Sequence, residues 1–475
     1  MPVYTPSIKM RERVDRERHQ KMQQLRLRGR EPFPDARLPT RSLAAEIHAE
    51  HDPCALESGE HPRWCYTVAG RLMARRKHRH ATFFDLRDQS GIIELCVRRD
   101  SRDKARCSPL IDADLGDILT AEGAIYVTDN HTLTISVISS QLLAKALRLL
   151  PGRGARADSK PRGHQRDLSL LANESTRRLV ETRSAAATAA RAWMAENLFV
   201  ETGRPILDAL AAPPLVARRE ASRASRFSPR LDFRRCLLGG LERVYAFEDR
   251  SRDKIYGCPG GMFATLDWAT AYIDYEDAIR QVEEIIQRVA MAIAPGWLAR
   301  GGETTIDLSR PWRSITVREG ISRQCGLDVL AADASELARW SPAKADPGAD
   351  SWGSLVRGIY LAHVEPKLIQ PTIVRDFPLT DQMFARRHPR FGELACNFVA
   401  VIGGVEVAGG DTELNDPHEQ LARLAANEVD ASVDNDRAAA HCVREVRLLE
   451  YGLCPAANAT LDIDQLISLL TDKSP

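Results

Sequence analysis

Apolar residues recur at steps of three and four in two stretches of the chain. Leu179, Ala186, Ala190 and Trp193 form one stripe, and Ile279, Val282, Ile286, Val289 and Ile293 form another. That spacing places side chains on one face of an α-helix. It predicts a helix over 175–198 and a second one ending at 293, for which Asp274 is a suitable N-cap. Between 66 and 144 the period falls to two. "YTVAGRLMARR", "ATFFDLRD", "GIIELCV", "DILTAEGAIYVT" and "LTISVISSQLLA" are β-prone runs separated by turn signals at Gly91 and "DNHT". Five short strands predict a small closed barrel, of which the oligonucleotide-binding (OB) type is the commonest; periodicity alone leaves other small barrels open. Further strands are predicted at "RVYAF", "MFATLDWATAY", "NFVAVIGGVEVAGG" and "NATLDIDQL", with a hairpin at Gly403-Gly404. The class is α+β: a barrel, then an antiparallel sheet flanked by helices. There is no βαβ repeat and no G-x-G-x-x-G or G-x-x-x-x-G-K loop, which argues against Rossmann and P-loop enzymes.

Composition and charge then divide the chain into four segments. Residues 1–50 form a basic, helical arm, in which 9–30 hold nine Lys or Arg against three acids. Two readings are open for it, an arm resting on phosphates or a solvated charged helix. Residues 51–150 form the barrel domain. "PGRGARADSKPRGHQR" (151–166) has almost no apolar content and reads as a linker, and 167–475 form the larger domain. Formal net charge is +1, so any nucleic-acid surface must be local. The ten cysteines include no C-x-x-C pair, which excludes zinc-ribbon and thioredoxin-type sites and points to reduced thiols. No apolar run approaches the roughly 20 residues of a membrane span. The expectation is a soluble, cytoplasmic protein.

The most specific stretch is "VIGGVEVAGGDTELNDPHEQLARL" (401–424). With "VAGRLMARRKHRHATFFDLRDQSGIIEL", "FVETGRPIL", "VEPKLIQPTIV" and "EYGLCP…DIDQLISLLTD" it closely resembles class II lysyl-tRNA synthetases, in order along nearly the whole chain. The resemblance implies an anticodon-binding OB barrel and a catalytic sheet of six or seven antiparallel strands. It also implies a homodimer built partly through a motif whose proline falls at Pro205. The family reaction is ATP-dependent activation of lysine and its transfer to tRNA-Lys, with ATP and Mg2+ as cofactors. Carried over residue by residue, Arg252 is the arginine that touches the α-phosphate and the substrate carboxylate. Glu413 is a retained acid of the catalytic and lysine site, and Asp267 is a lysine-binding acid. Glu406 is one of two magnesium-binding, ATP-site glutamates. In the barrel, Phe83 matches the aromatic that stacks on an anticodon base, and Glu94 replaces the base-reading glutamine. From its pattern alone Phe83 also reads as a core aromatic.

The same alignment exposes departures. Arg230 stands where the family glutamate holds the α-ammonium of lysine, and no compensating acid is evident from the sequence. One such pair at about 4 Å and an effective dielectric of about 20 is worth roughly 4 kcal/mol, and reversal makes it repulsive. Lys254 and, across a one-residue gap, Met262 replace acids; Val399 replaces the second magnesium glutamate. Gly409 and Asp411 replace an asparagine and a phenylalanine. The glycine-rich corner that lies against ATP has become Asn458, Thr460 and Asp462, and its arginine is Gln465. Asn415 and Asp416, before Pro417 and Glu419, have a local explanation as a helix start. These changes predict eroded lysine, ATP and magnesium sites and weak or absent activity, with tRNA or partner binding retained. The alternative is a working lysine–tRNA ligase with a divergent site.

Overall fold

The computed structural model describes residues 8–35, 37–38, 40–98, 104–150, 169–202, 230–251, 262–294, 298–301, 304–341, 351–428 and 446–471. Pro205, Arg252, Lys254 and the segment 151–166 lie outside the described residues. The chain divides into two compact units, Met1–Arg177 and Arg178–Pro475.

In the first unit two helices, α1 (Ile8–Leu27) and α2 (Ala44–Glu50), precede five strands. These are β1 (Gly59–Lys77), β2 (Ala81–Arg87), β3 (Ile92–Arg98), β4 (Ile118–Val127) and β5 (Leu133–Ala144), with α3 (Lys104–Ile111) between β3 and β4. They close as β1-β2-β3-β5-β4. Alternation sends Leu72, Phe84, Leu86, Leu95, Leu119, Ile125 and Ile135 into one buried core. β1 begins well before the predicted start at 66, because the register slips between His61 and Cys65. That bulge breaks the period of two and hides the first part of the strand. Helix α1 has a weakly apolar sequence and is held by charge. Arg18 is buried and donates to the carbonyls of Leu115, Ala146 and Arg148, while Lys21 pairs with Asp114 at 3.0 Å. Two of the cations counted in the basic arm therefore serve the barrel itself.

Among the described residues of the second unit the sheet has eight strands. They are β6 (Val200–Glu201), β7 (Arg243–Ser251), β8 (Met262–Ala271), β11 (Arg313–Thr316), β12 (Thr372–Arg375), β13 (Asn397–Ile402), β14 (Val405–Thr412) and β15 (Ala456–Asp462), with β9 (Leu298–Gly301) and β10 (Thr304–Asp307) paired separately. Their order is β11-β12-β13-β14-β15-β8-β7-β6. The inner pairings are antiparallel, but β11–β12 and β6–β7 are parallel. The expected six or seven antiparallel strands thus become eight in a mixed sheet. The two edge strands are four and two residues long, too short to carry a readable period. One face is covered by α4 (Glu174–Glu196), α6 (Tyr275–Ile293) and a C-terminal helix, Ile463–Thr471. Ala186, Ala190, Trp193, Val282, Ile286, Val289, Trp268, Phe398, Leu461 and Leu466 share this core. Asp274 caps α6 as its sequence predicts, accepting from the Glu276 and Asp277 amides. The β13–β14 hairpin turns on Gly403 and Gly404, both at positive φ (63° and 78°), which glycine adopts without a Cβ clash. Among the described residues no helix is long and apolar enough to cross a membrane.

Candidate functional site: a cleft of interlocked charges

Side chains that face away from the helical core line a cleft of about 580 Å³. The two-residue period of the strands assembles it. Asn458, Thr460 and Asp462 of β15, Thr265 and Asp267 of β8, Val399 of β13, Gly409 and Asp411 of β14 and Arg250 of β7 all lie on its floor or walls. Gly410 separates two of these positions because a Cβ there would meet the Asn458 carbonyl at 2.4 Å and the Phe398 ring at 2.7 Å.

Helix α5 (Arg230–Leu238) brings two arginines to this cleft. Arg230 and Arg234 are four apart and so share a helix face. Arg234 is 1% exposed; its Nε donates to Glu413 Oε1 at 2.9 Å, and its Nη2 donates to the same oxygen and to Gln420 Oε1 at 3.2 Å. Glu413, also 1% exposed, accepts from Asn458 Nδ2 on its other oxygen. Arg230 pairs with Asp411 and approaches Glu413 at 3.7 Å. The absence of a compensating acid, expected from the sequence, is therefore corrected. Asp411 supplies it from β14, and Asp411 is itself one of the departures. Burial pushes the Asp411 carboxyl up, opposed by the Arg230 charge. The Phe384 ring lies 5.3 Å from the Arg230 guanidinium and 5.1 Å from that of Arg234.

Asp267 is buried and equally engaged. It accepts from Arg250 Nη2 at 2.6 Å, Thr460 Oγ1 at 2.5 Å and Thr265 Oγ1 at 2.8 Å. Thus two of the side chains that replace corner glycines, Asn458 and Thr460, each bond an acid carried over from the resemblance. Asp462 accepts the Gln465 amide at 2.8 Å and so caps the C-terminal helix. Asp416 caps α7 (Pro417–Glu428) through the His418 and Glu419 amides, as its sequence suggests. Asn415 does not cap it: its amide donates to the Leu453 carbonyl.

Glu406 lines the cleft from the bulged part of β14, opposite Val401. Burial pushes its carboxyl up to about 7; the Arg357 charge opposes this, and Glu365 and Asp462 add to it. Val399, partly buried and apolar, occupies the second magnesium-glutamate position. Among the described residues no group of three His, Cys, Asp or Glu could hold a metal ion. The donor set lacks the second glutamate of the magnesium site that the resemblance implies, and Asn458, Thr460 and Asp462 place side chains along the cleft where that resemblance has glycines. The raised carboxyl has a consequence for stability. The folded chain holds a proton that the unfolded chain releases between pH 4.5 and about 7, so stability falls as pH rises through that window. Glu406→Gln is expected to flatten that fall and to stabilise the protein at pH 8 by roughly 2–3 kcal/mol. Urea denaturation at pH 5 and pH 8 measures it; an unchanged pH dependence would rule it out.

In the barrel unit, Phe83 lies opposite Cys96 on β3, and Glu94 lies opposite Asp85 on β2, so all four share one face. Phe84, next to Phe83, is the core aromatic and is fully buried; Phe83 is half-buried and meets His78 edge-on at 5.4 Å. Glu94 accepts from Arg76 and from Thr134 Oγ1 at 3.0 Å. Of the residues singled out in the sequence, Asp267 and Glu406 line the cleft, Glu413 sits behind it, Phe83 and Glu94 belong to the other unit, and Arg252 is outside the described residues. Arg234, Arg250, Arg357 and Gln420 went unnoticed. Only the Arg230–Arg234 spacing offered a sequence signal for one of them.

Comparison with known proteins follows the same division. The family of class II tRNA synthetases (D, K and N) matches residues 158–474, and the OB-fold nucleic acid binding domain matches 66–143. The lysine–tRNA ligase of Dehalococcoides mccartyi is 30% identical over 490 residues, covering 97% of this chain and 95% of the relative. That of Pasteurella multocida is 32% identical over 96% of this chain and 94% of its own length. That of Pelotomaculum thermopropionicum is 33% identical over 86% and 83%. The chain belongs to the class II tRNA synthetase family, on its lysyl-tRNA synthetase branch.

Proposed function

We propose that this family member binds tRNA and activates lysine weakly or not at all, as a cytoplasmic homodimer. One observation carries the reading: Glu413, the acid retained for lysine, is 1% exposed and already saturated by Arg234 and Asn458. Lysine must displace a buried guanidinium to reach it. Loss of the α-ammonium glutamate and of the γ-phosphate arginine removes two more ionic contacts, at roughly 1.5–3 kcal/mol each. If these add, lysine activation is about two to four orders of magnitude slower than in an active relative. Lysine-dependent ATP–pyrophosphate exchange on the purified protein, run beside such a relative, tests this. Exchange within tenfold of the relative would favour the working ligase with a differently built site. A homodimer is consistent with the edge at β6, beside which Leu198 is 79% exposed.

The tRNA part of the proposal rests on the barrel face. Phosphate contacts dominate RNA affinity and make it salt-dependent, and α1 and the turn after it keep exposed cations such as Arg16, Arg26 and Arg28. Base reading is weaker, because Glu94 is acceptor-only and is held by Arg76. Binding should fall steeply with salt and discriminate poorly among tRNAs. Glu94→Gln is expected to raise the preference for a lysine anticodon and to leave the salt slope unchanged. Anisotropy titrations at several salt concentrations measure both, and strong discrimination by the unmodified chain would contradict the proposal.

A further inference from the structure

A second cavity, of about 420 Å³, lies at the β11 end of the large sheet and shares no lining residue with the cleft. That volume is in the range of small-molecule sites. Thr316 pairs with Arg375 across β11 and β12, so Asp376 arrives beside the start of the helix Val317–Cys325. Asp376 borders the cavity and is only 7% exposed. Its amide donates to the Asn397 carbonyl at 3.0 Å, and the Tyr275 hydroxyl donates to its Oδ1 at 3.1 Å. Its Oδ2 accepts no hydrogen bond among the described residues, yet it is not sealed in by protein atoms. Burial pushes the carboxyl up, against the Tyr275 hydrogen bond and the charges of Arg375 and His388, and Glu276 adds to the rise. A carboxylate this buried with one bare oxygen is costly. A cation reaching Oδ2 from the cavity would relieve that cost.

The other lining groups restrict the cation. Arg318 and Asp328 hold one another through two bonds, at 2.9 and 2.6 Å, and so are committed. Glu319 is exposed and accepts the Thr316 amide at 3.0 Å. Arg323 is exposed and makes no ion pair among the described residues, so a second positive charge on a ligand would meet it. The lining holds three acids and two arginines, and a single positive charge balances it. Leu330, Phe391 and Leu394 add an apolar wall. Phe391 is 40% exposed and is stacked on His388 at 5.4 Å. An aromatic ring of this kind attracts an ammonium group or packs against an apolar body.

We propose that this cavity binds a primary monoamine with a short apolar body, its ammonium on Asp376 and its body against Leu330, Phe391 and Leu394. The site is separate from the cleft and does not depend on how the cleft is read. The test is isothermal titration of the full-length protein with phenethylamine, its neutral analogue phenethyl alcohol and the diamine putrescine. Phenethylamine is expected to bind at least tenfold more tightly than either of the others. Asp376→Asn is expected to weaken its binding at least tenfold, and Phe391→Leu at least threefold. Because Phe391 is exposed, its variant decides where Asp376→Asn does not fold. The inference falls if phenethylamine does not bind, or if the alcohol or the diamine binds as tightly. It also falls if Asp376→Asn, or in its place Phe391→Leu, leaves the affinity unchanged.

Discussion

Arg234→Ala is expected to cost about 3–5 kcal/mol of stability, the usual penalty for removing one partner of a buried ion pair. The residue is 1% exposed and its guanidinium joins Glu413 to Gln420. Among the described residues, alanine leaves the buried Glu413 carboxylate with only Asn458 and a distant Arg230, at 3.7 Å, to support it. In a unit of this size the melting temperature should fall by on the order of 10 °C. The cost comes from the stranded charge, so a paired apolar replacement should behave differently. Arg234→Met with Glu413→Leu removes both ions and is expected to regain most of the loss. Calorimetry of the three proteins decides it. A single variant that melts within 3 °C of the parent would show that the pair contributes little.

The second large effect is a double-mutant cycle across the exchanged pair. Arg230→Glu alone sets a third carboxylate beside Asp411 and Glu413. At about 4 Å and effective dielectric of about 20, one such contact turns roughly 4 kcal/mol of attraction into repulsion, before solvent and side-chain rotation soften it. Asp411→Phe alone removes the acid that Arg230 meets most closely. The two changes together restore the residue types that the family resemblance assigns to both positions. Their combined cost should be smaller than the sum of the single costs by about 0.5–3 kcal/mol, the range for groups in contact. The double variant should also bind lysine at least tenfold more tightly than the parent by isothermal titration. Strict additivity in the denaturation cycle would mean that the pair does not interact, and unchanged lysine affinity would mean that Arg230 is not what excludes it.

The helices and the barrel were legible because their signals are long and repeated. Ile279 to Ile293 keep one stripe over several turns, and Asp274 starts it in the ordinary way. The edge strands β6 and β11 were not, since two and four residues carry no period. In the cleft, single substitutions could be read against the family resemblance, but their mutual contacts could not. Arg230 and Asp411 are 181 positions apart, and Thr460 and Asp267 are 193 apart. Read one at a time, each looks like a loss. Strand order brings them together, and the losses prove to bond one another. Charge alone could not have paired Arg230 with Asp411, because the sequence holds 65 Asp and Glu residues and does not say which of them meets it.

The clamp that Arg18 makes on the barrel bears on the order in which the chain folds during synthesis. Helix α1 leaves the ribosome before the barrel strands, yet the carbonyls that Arg18 grips belong to residues 97, 128 and 130 positions later. Contacts this distant form late, after the loop-closure entropy has been met. The helix has no apolar stripe with which to find an earlier partner. It must therefore wait, charged and solvated, until β5 and the residues just beyond it have emerged, which makes a helix translated ahead of every barrel strand the last piece of the barrel unit to dock.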